Sequence, residues 1–259
     1  MTNIPFEFWV ILGLFGLYLY DSSRLVHYNQ VYFFRGFKSK ISVTIPAKTF
    51  SFFKQYLFLV QALHSYRIVF QSQWNLNNSK QLPRINETST DETEQIFAAI
   101  QILKKIQIIN LFSFILTLLI FPVLFLTKQS YVLLLITLLF IYLANIVQIL
   151  YVFRHRKALN ISKKLYLSLL VDALFCPPFA LNVIQKISLN IALKTDAIVL
   201  AEILLKQDDL YHFSQDLYEQ IEELKQIESK TDSPQYLQLE QIQQRLKHLE
   251  NHSKIDQSV

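Results

Sequence analysis

Few residues in this 259-residue chain have the type and spacing that chemistry requires. Asp172 stands out. It is the only acid between Glu94 and Asp196, and it lies in an apolar stretch beside Cys176, Pro177 and Pro178. An ionisable side chain in such surroundings is a candidate for proton transfer or acid–base work. The structural alternative is a carboxylate that pairs with a nearby Lys or Arg and fixes the packing of its segment. Cys176 makes a poor nucleophile four residues from Asp172, because a neighbouring carboxylate raises a thiol's pKa and withholds the thiolate. Asn145 and Gln148 in one long apolar run, and Asn110 and Ser113 in another, are residue types that hydrogen-bond between helices in an apolar medium. They would line a pore only if several copies assembled.

Most other chemistry is excluded by composition. With only Gly13, Gly16 and Gly36, the chain has no phosphate-binding loop, no dinucleotide fingerprint and no Gly-x-Ser-x-Gly elbow. There is no His-Glu-x-x-His. Of the six histidines only His248 and His252 share a helical face, and Glu250 points elsewhere on that helix. A single cysteine allows neither an intrachain disulfide nor a Cys-rich metal site. The functional candidates are therefore Asp172, Cys176, Pro177, Pro178, Asn145 and Gln148. No catalytic residue, metal ligand or cofactor is assigned.

The elements that would hold these residues are dominated by long apolar runs. Apolar residues make up 52% of the chain and charged residues 17%, against about 25% charged in an ordinary soluble domain. Residues 106–127 and 131–153 contain no charge. At about 1.5 Å per residue each would make a helix roughly 33 Å long, enough for a hydrocarbon core of about 30 Å. Only Lys128, Gln129 and Ser130 separate them, so they read as a transmembrane hairpin with a tight turn. Pro122, near the end of the first run, predicts a kink. Residues 5–20 are apolar apart from Glu7. With no basic n-region and no cleavage site they read as an uncleaved anchor rather than a signal peptide. The fourth run, 165–185, is interrupted by Asp172 and Pro177–Pro178. Lys163, Lys164, Lys186 and Lys194 flank it. Proline disfavours a straight helix here. A helix–break–helix that is re-entrant or interfacial keeps all four lysines on one side, and a kinked span is the rival.

Charge sets the expected orientation. Residues 22–84 carry nine basic side chains and no acid, and Arg154, Arg156 and Lys157 follow the third run. Basic flanks stay cytoplasmic, which predicts an N-terminus outside and most of the extramembrane mass inside. Arg24, Arg35, Lys38, Lys40, Arg154, Arg156 and Lys157 are the expected lipid-facing basic residues. Their anionic partner is expected to be headgroups rather than nucleic acid. The last segment reverses sign: 196–259 holds 13 acids and 6 bases, a net of −7, against +12 before it.

Outside the bilayer, 40–45 alternates as a short strand and stops at Pro46. Phe53, Tyr56, Leu57, Val60 and Leu63 follow helical spacing, which predicts an amphipathic helix over 49–66. Residues 75–86 read as a polar loop, and Asp91 with Glu94 as a capping box opening a helix that runs into the second span. In the tail, Ile203, Leu210, Leu217 and Leu224 recur every seven residues. Leu239, Ile242, Leu246 and Leu249 follow a 3-4-3 spacing after a turn at 231–234. These readings predict a helical hairpin, or a short coiled coil with a partner chain or second copy.

The expected fold class is thus a mainly α integral membrane protein with about three transmembrane helices. Its parts are an anchor at 1–20, a basic cytoplasmic domain of mixed α/β character at 21–104, a hairpin at 105–153, a juxtamembrane apolar segment at 154–195 and an acidic helical tail at 196–259. Composition suggests a bacterial inner membrane. The expected role is a non-enzymatic scaffold or interaction protein. The alternatives are a subunit of an oligomeric channel or transporter using Asp172, or a membrane-embedded enzyme.

Overall fold

A computed structural model describes residues 5–38, 40–46, 51–52, 55–59, 64–74, 87–128, 130–191, 193–227 and 234–255. The chain is mostly helical with small antiparallel sheets. Its helices are α1 (Phe6–Ser22), α2 (Glu87–Ile115), α3 (Phe121–Leu126), α4 (Tyr131–His155), α5 (Lys163–Phe175), α6 (Pro177–Ala180), α7 (Val183–Leu189), α8 (Ala197–Leu204), α9 (Gln207–Ile227) and α10 (Pro234–Ile255). Its strands are β1 (Ser23–Val26), β2 (Gln30–Arg35), β3 (Ile41–Thr44), β4 (Ser51–Phe52), β5 (Gln55–Leu59) and β6 (Ile68–Gln73). Two compact units form. One comprises Met1–Val26, Thr49–Val69 and Gln95–Ile191, the other His27–Lys48, Phe70–Glu94 and Ala192–Val259.

In the first unit, helical stretches are long and apolar enough to cross a membrane at Asp91–Leu126, counted from its start in the other unit, and at Tyr131–His155. A π-helical turn, Leu116–Ile120, interrupts the first of these before α3. Its cause is Pro122. Proline has no N–H for the Leu118 carbonyl, and the widened turn instead lets the Phe121 N–H reach Leu116 O. α1 packs on α6 and α3, and α4 packs on α3, α5 and α6. Tyr18, Leu118 and Leu181 form a buried cluster with Leu14, Phe15 and Phe114 around it. Glu7 pairs with Lys128 at 3.3 Å, so the start of α1 lies beside the α3–α4 turn.

The exterior of this unit is apolar, unlike that of a soluble helix bundle, and its interior mixes aliphatic side chains such as Ile106, Leu118, Ile141 and Val152 with polar ones. On α2 the inward positions include Gln107, Asn110 and Ser113, followed by Thr117 in the π turn. On α4 they include Thr137, Asn145 and Gln148. The exposed positions are Ile108, Phe112, Leu119 and Val123 on one side, and Val132, Leu135, Leu139, Leu143, Leu150 and Phe153 on α4. α5 also exposes an apolar face, Leu167, Val171, Leu174 and Phe175, while Leu169 and Ala173 are buried.

The 49–66 region departs from the expected helix. It forms β4 and β5, with β5 between β1 and β4: Ser23 pairs with Leu59, Val26 with Tyr56, and Phe52 with Gln55. The aromatic and aliphatic side chains that suggested a helix also suit a strand. The open ladder of β1, carried directly by the end of α1, supplies the backbone partner. Phe53, Val60 and Leu63 lie outside the described residues.

In the second unit β2 lies between β3 and β6. The expected strand at 40–45 is β3, with Tyr32 opposite Thr44 and Arg35 opposite Ile41. α9 and α10 pack on each other, and α9 also touches β3. The apolar seam of α9 is Phe213, Leu217 and Ile221, spaced four apart, against Leu239, Ile242 and Leu246 of α10. The seven-residue series fails because Ile203 belongs to the separate helix α8, and Leu210 and Leu224 are only half-buried. Gln243 ties the pair by accepting from Lys225 at 2.7 Å and donating to Glu222. α2 begins at Glu87, before the expected capping box at Asp91. The expected loop at 75–86 and turn at 231–233 lie outside the described residues.

Candidate functional site

α1 ends at Ser22, and its last turn presents Asp21. α5 ends at Phe175 because Pro177 and Pro178 follow. Cys176 takes a non-helical conformation, and the prolines occupy the first turn of α6, where their missing N–H groups cost nothing. This break turns the chain back so that α7 brings Lys186 to both carboxylates. Lys186 Nζ lies 2.8 Å from Asp172 Oδ2 and 2.9 Å from Asp21 Oδ1, and donates to the Phe179 carbonyl at 3.3 Å. All three ammonium protons are used. The same ammonium sits 5.2 Å from the Phe179 ring centroid, within cation–π range.

Asn182 completes the cluster. Its Nδ2 donates to Asp21 Oδ2 at 2.8 Å, and its side chain meets the Ser22 hydroxyl. Neighbouring polar contacts extend inward: Asn110 Nδ2 donates to the Leu181 carbonyl at 3.0 Å and lies 3.5 Å from Ser65 Oγ. Side-chain exposure of Lys186, Asp21 and Asp172 is 18%, 15% and 16%, so these charges are only partly screened by solvent. Two carboxylates against one ammonium leave a net charge of −1.

The sequence candidates thus separate into two groups. Asp172 and its Pro177–Pro178 break belong to the ion cluster, Asp172 as a paired carboxylate. Cys176 is half-buried at the break, and its N–H bonds to the Asp172 carbonyl at 2.9 Å. The second group is the α2–α4 stripe. Ser113 donates to Asn145 Oδ1 at 3.0 Å. Gln148 is 1% exposed, and neither of its amide atoms has a hydrogen-bond partner among the described residues. The same holds for Asn145 Nδ2 and Thr117 Oγ1. Asp21, Lys186 and Asn182 were absent from the sequence candidates. The one available signal was an acid at the end of the first apolar run, which needs a cation when that run is packed.

Of the expected lipid-facing basic residues, Arg24, Lys38, Arg154 and Lys157 are exposed, and Arg35 and Arg156 are half-buried. Lys40 is paired with Asp209 of α9 at 3.0 Å. Other polar devices in the second unit are structural. Glu92 accepts from the backbone N–H groups of Lys194 and Thr195 at 3.0 Å each, and Asp196 caps α8 through Ile198 N at 2.9 Å. Burial pushes the Glu202 carboxyl above its ordinary value of 4.5; Arg245 opposes this and Asp196 adds to it. In the first unit burial holds His64 below 6.5, with Arg67 adding to the effect. His248 and His252 fall on α10, and their side chains lie outside the described residues. No protein-family model matches the chain, and neither a curated protein nor a solved structure shows significant similarity to it.

Proposed function

We propose that this chain is a multi-pass integral membrane protein that acts as a non-enzymatic scaffold, holding a folded extramembrane unit at the cytoplasmic face of a bacterial inner membrane. The observation that carries the membrane reading is the apolar exterior of α2–α4, where Leu, Ile, Val and Phe face outward while several amides and hydroxyls lie inside among aliphatic side chains. In water those exposed side chains would each forfeit about 1.5–3 kcal/mol of burial. In lipid they lose nothing. α1, at 17 residues, reaches the lower end of the range for a spanning helix, about 17–25 residues. The Glu7–Lys128 pair at one end of α1 and the Asp21–Lys186 pair at the other agree with an antiparallel arrangement in which the N-terminus and the α3–α4 turn share the outer side.

The same geometry favours the interfacial reading of 165–185. Asp172 is level with the end of α1 through Lys186, and Tyr166 packs at a tilt beside Phe153 near the end of α4 with ring centroids 5.4 Å apart. A helix held at both positions lies along the inner boundary rather than crossing, with Leu167, Val171 and Phe175 facing the acyl chains. Pairing of Asp172 with Lys186 supports the scaffold over a carrier or enzyme, since the carboxylate is committed to a structural tie.

Proteoliposomes with an internal pH dye test this. The scaffold reading expects an imposed proton gradient to decay no faster than in protein-free vesicles, for the native chain and for Asp172→Asn alike. Decay that requires Asp172 would assign the chain to the carriers. Complete release by alkaline carbonate would remove the membrane reading itself.

A further inference from the structure

At the end of α1 an open cleft of about 360 Å³ is lined by Tyr20, Asp21, Ser23, Arg24, Leu25 and Lys186. Its size falls within the range of small-ligand sites, about 300–1,000 Å³. Its wall chemistry is mixed. Lys186 has no proton left to offer, because all three are spent on Asp21, Asp172 and the Phe179 carbonyl. Arg24 is exposed, and its guanidinium makes no ion pair among the described residues. Among the described residues it is the cleft's cation without an ion pair. Acceptors stand beside it. The Asp21 oxygens each hold one hydrogen bond, from Lys186 and from Asn182, and retain lone pairs. Ser23 Oγ donates to the Tyr20 carbonyl at 2.8 Å and can still accept. Exposed Tyr20 and Leu25 give the cleft an apolar shoulder.

Charge decides which ligand fits. Arg24 and Lys186 are balanced by Asp21 and Asp172, so the site is neutral overall and offers an anion nothing beyond one guanidinium. Its lining does include both a guanidinium residue, Arg24, and a carboxylate residue, Asp21. We propose that this cleft binds the headgroup of a zwitterionic phospholipid bearing a primary amine, with the phosphate on Arg24 and the ammonium on Asp21 and Ser23. Guanidinium matches phosphate oxygens bidentately, and a primary ammonium donates to a carboxylate where a quaternary one does not. Leu25 and Tyr20 meet the start of the acyl region. The inference rests on the membrane reading above, and it departs from the anionic-lipid partner expected for Arg24 from sequence.

The test uses the full chain in mild detergent, observed by native mass spectrometry with equimolar phosphatidylethanolamine, phosphatidylglycerol and phosphatidylcholine. Phosphatidylethanolamine should be retained about tenfold over either competitor, the scale of one charge-assisted contact. Arg24→Gln should remove most of that preference, Arg24→Lys should keep part of it, and the lipid-free melting midpoint should not move, because Arg24 makes no ion pair among the described residues. Retention of phosphatidylglycerol equal to or above phosphatidylethanolamine overturns the inference, as does an unchanged preference in Arg24→Gln. The competition on the native chain decides even if a variant fails to fold. A chain that stays soluble without detergent overturns the membrane reading as well, which separates the two failures.

Discussion

Replacing Lys186 by Met should damage the first unit far more than replacing Asp172 by Asn. The cluster holds one ammonium and two carboxylates at 2.8 and 2.9 Å. Each contact is worth about 6 kcal/mol of gross Coulomb energy at an effective dielectric of about 20, most of it offset by desolvation. Lys186→Met removes both contacts and leaves two like charges together among apolar neighbours, a net cost of about 3–5 kcal/mol. Asp172→Asn leaves the Asp21–Lys186 pair intact and electrically balanced, and the new amide oxygen still accepts from Nζ, so the loss is about 1 kcal/mol. At roughly 2–4 °C per kcal/mol for a chain of this size, the melting midpoint should fall on the order of 10 °C for Lys186→Met and less than about 4 °C for Asp172→Asn. Thermal unfolding in one mild detergent, followed by size-exclusion recovery, measures both. Equal losses would refute the reasoning, because the carboxylate would then do more than pair. A harmless Lys186→Met would refute it from the other side.

Three further outcomes follow from the same structure. Gln148→Met should be neutral or stabilising in the same melting assay, since it removes two buried amide atoms with no partner among the described residues, whereas Asn145→Leu should destabilise by about 1–2 kcal/mol through the orphaned Ser113 hydroxyl. Leu217→Ala should cost about 2–5 kcal/mol as a fully buried seam position, and Leu210→Ala much less, as chemical denaturation of each variant would show. Glu202 has a folded-state pKa above 4.5, so the folded state binds its proton more tightly and stability falls as pH rises from 4.5 through the folded value. Glu202→Gln should therefore be more stable than the native chain at pH 7, with the gap closing as pH approaches 4.5 in a pH series of melting midpoints.

The long apolar helices were legible because composition alone specifies them: 106–127 and 131–153 carry no charge, and helices occupy both. The break after α5 was legible for the same reason, since Pro177 and Pro178 act locally. The helix forecast over 49–66 failed because a run of aromatic and aliphatic residues suits either period. The partner strand that decides between them, β1, lies some thirty residues earlier. The tail repeat misled because seven-residue recurrence was followed across the break between α8 and α9, where the real seam is the tighter Phe213, Leu217 and Ile221 series. Asp172 was found by its isolation in the sequence, but Asp21, Asn182 and Lys186 were not. Their meeting depends on α7 folding back from a turn, a long-range event with no local signature. Glu92 shows the same limit, since its backbone partners lie about a hundred residues away.

On the proposed topology α1, α2–α3 and α4 cross the bilayer while 165–185 stays at its inner boundary. Single cysteines in a Cys176→Ser background test this topology, with an impermeant thiol reagent applied to intact cells and to inverted vesicles. A cysteine at Ser130 should be labelled from outside only, and cysteines at Arg84, Ser162 and Val259 from the cytoplasmic side only. Labelling of Val259 from outside while Arg84 reports the inside would make 165–185 a fourth span, and labelling of Ser130 and Ser162 from the same side would mean that α4 does not cross.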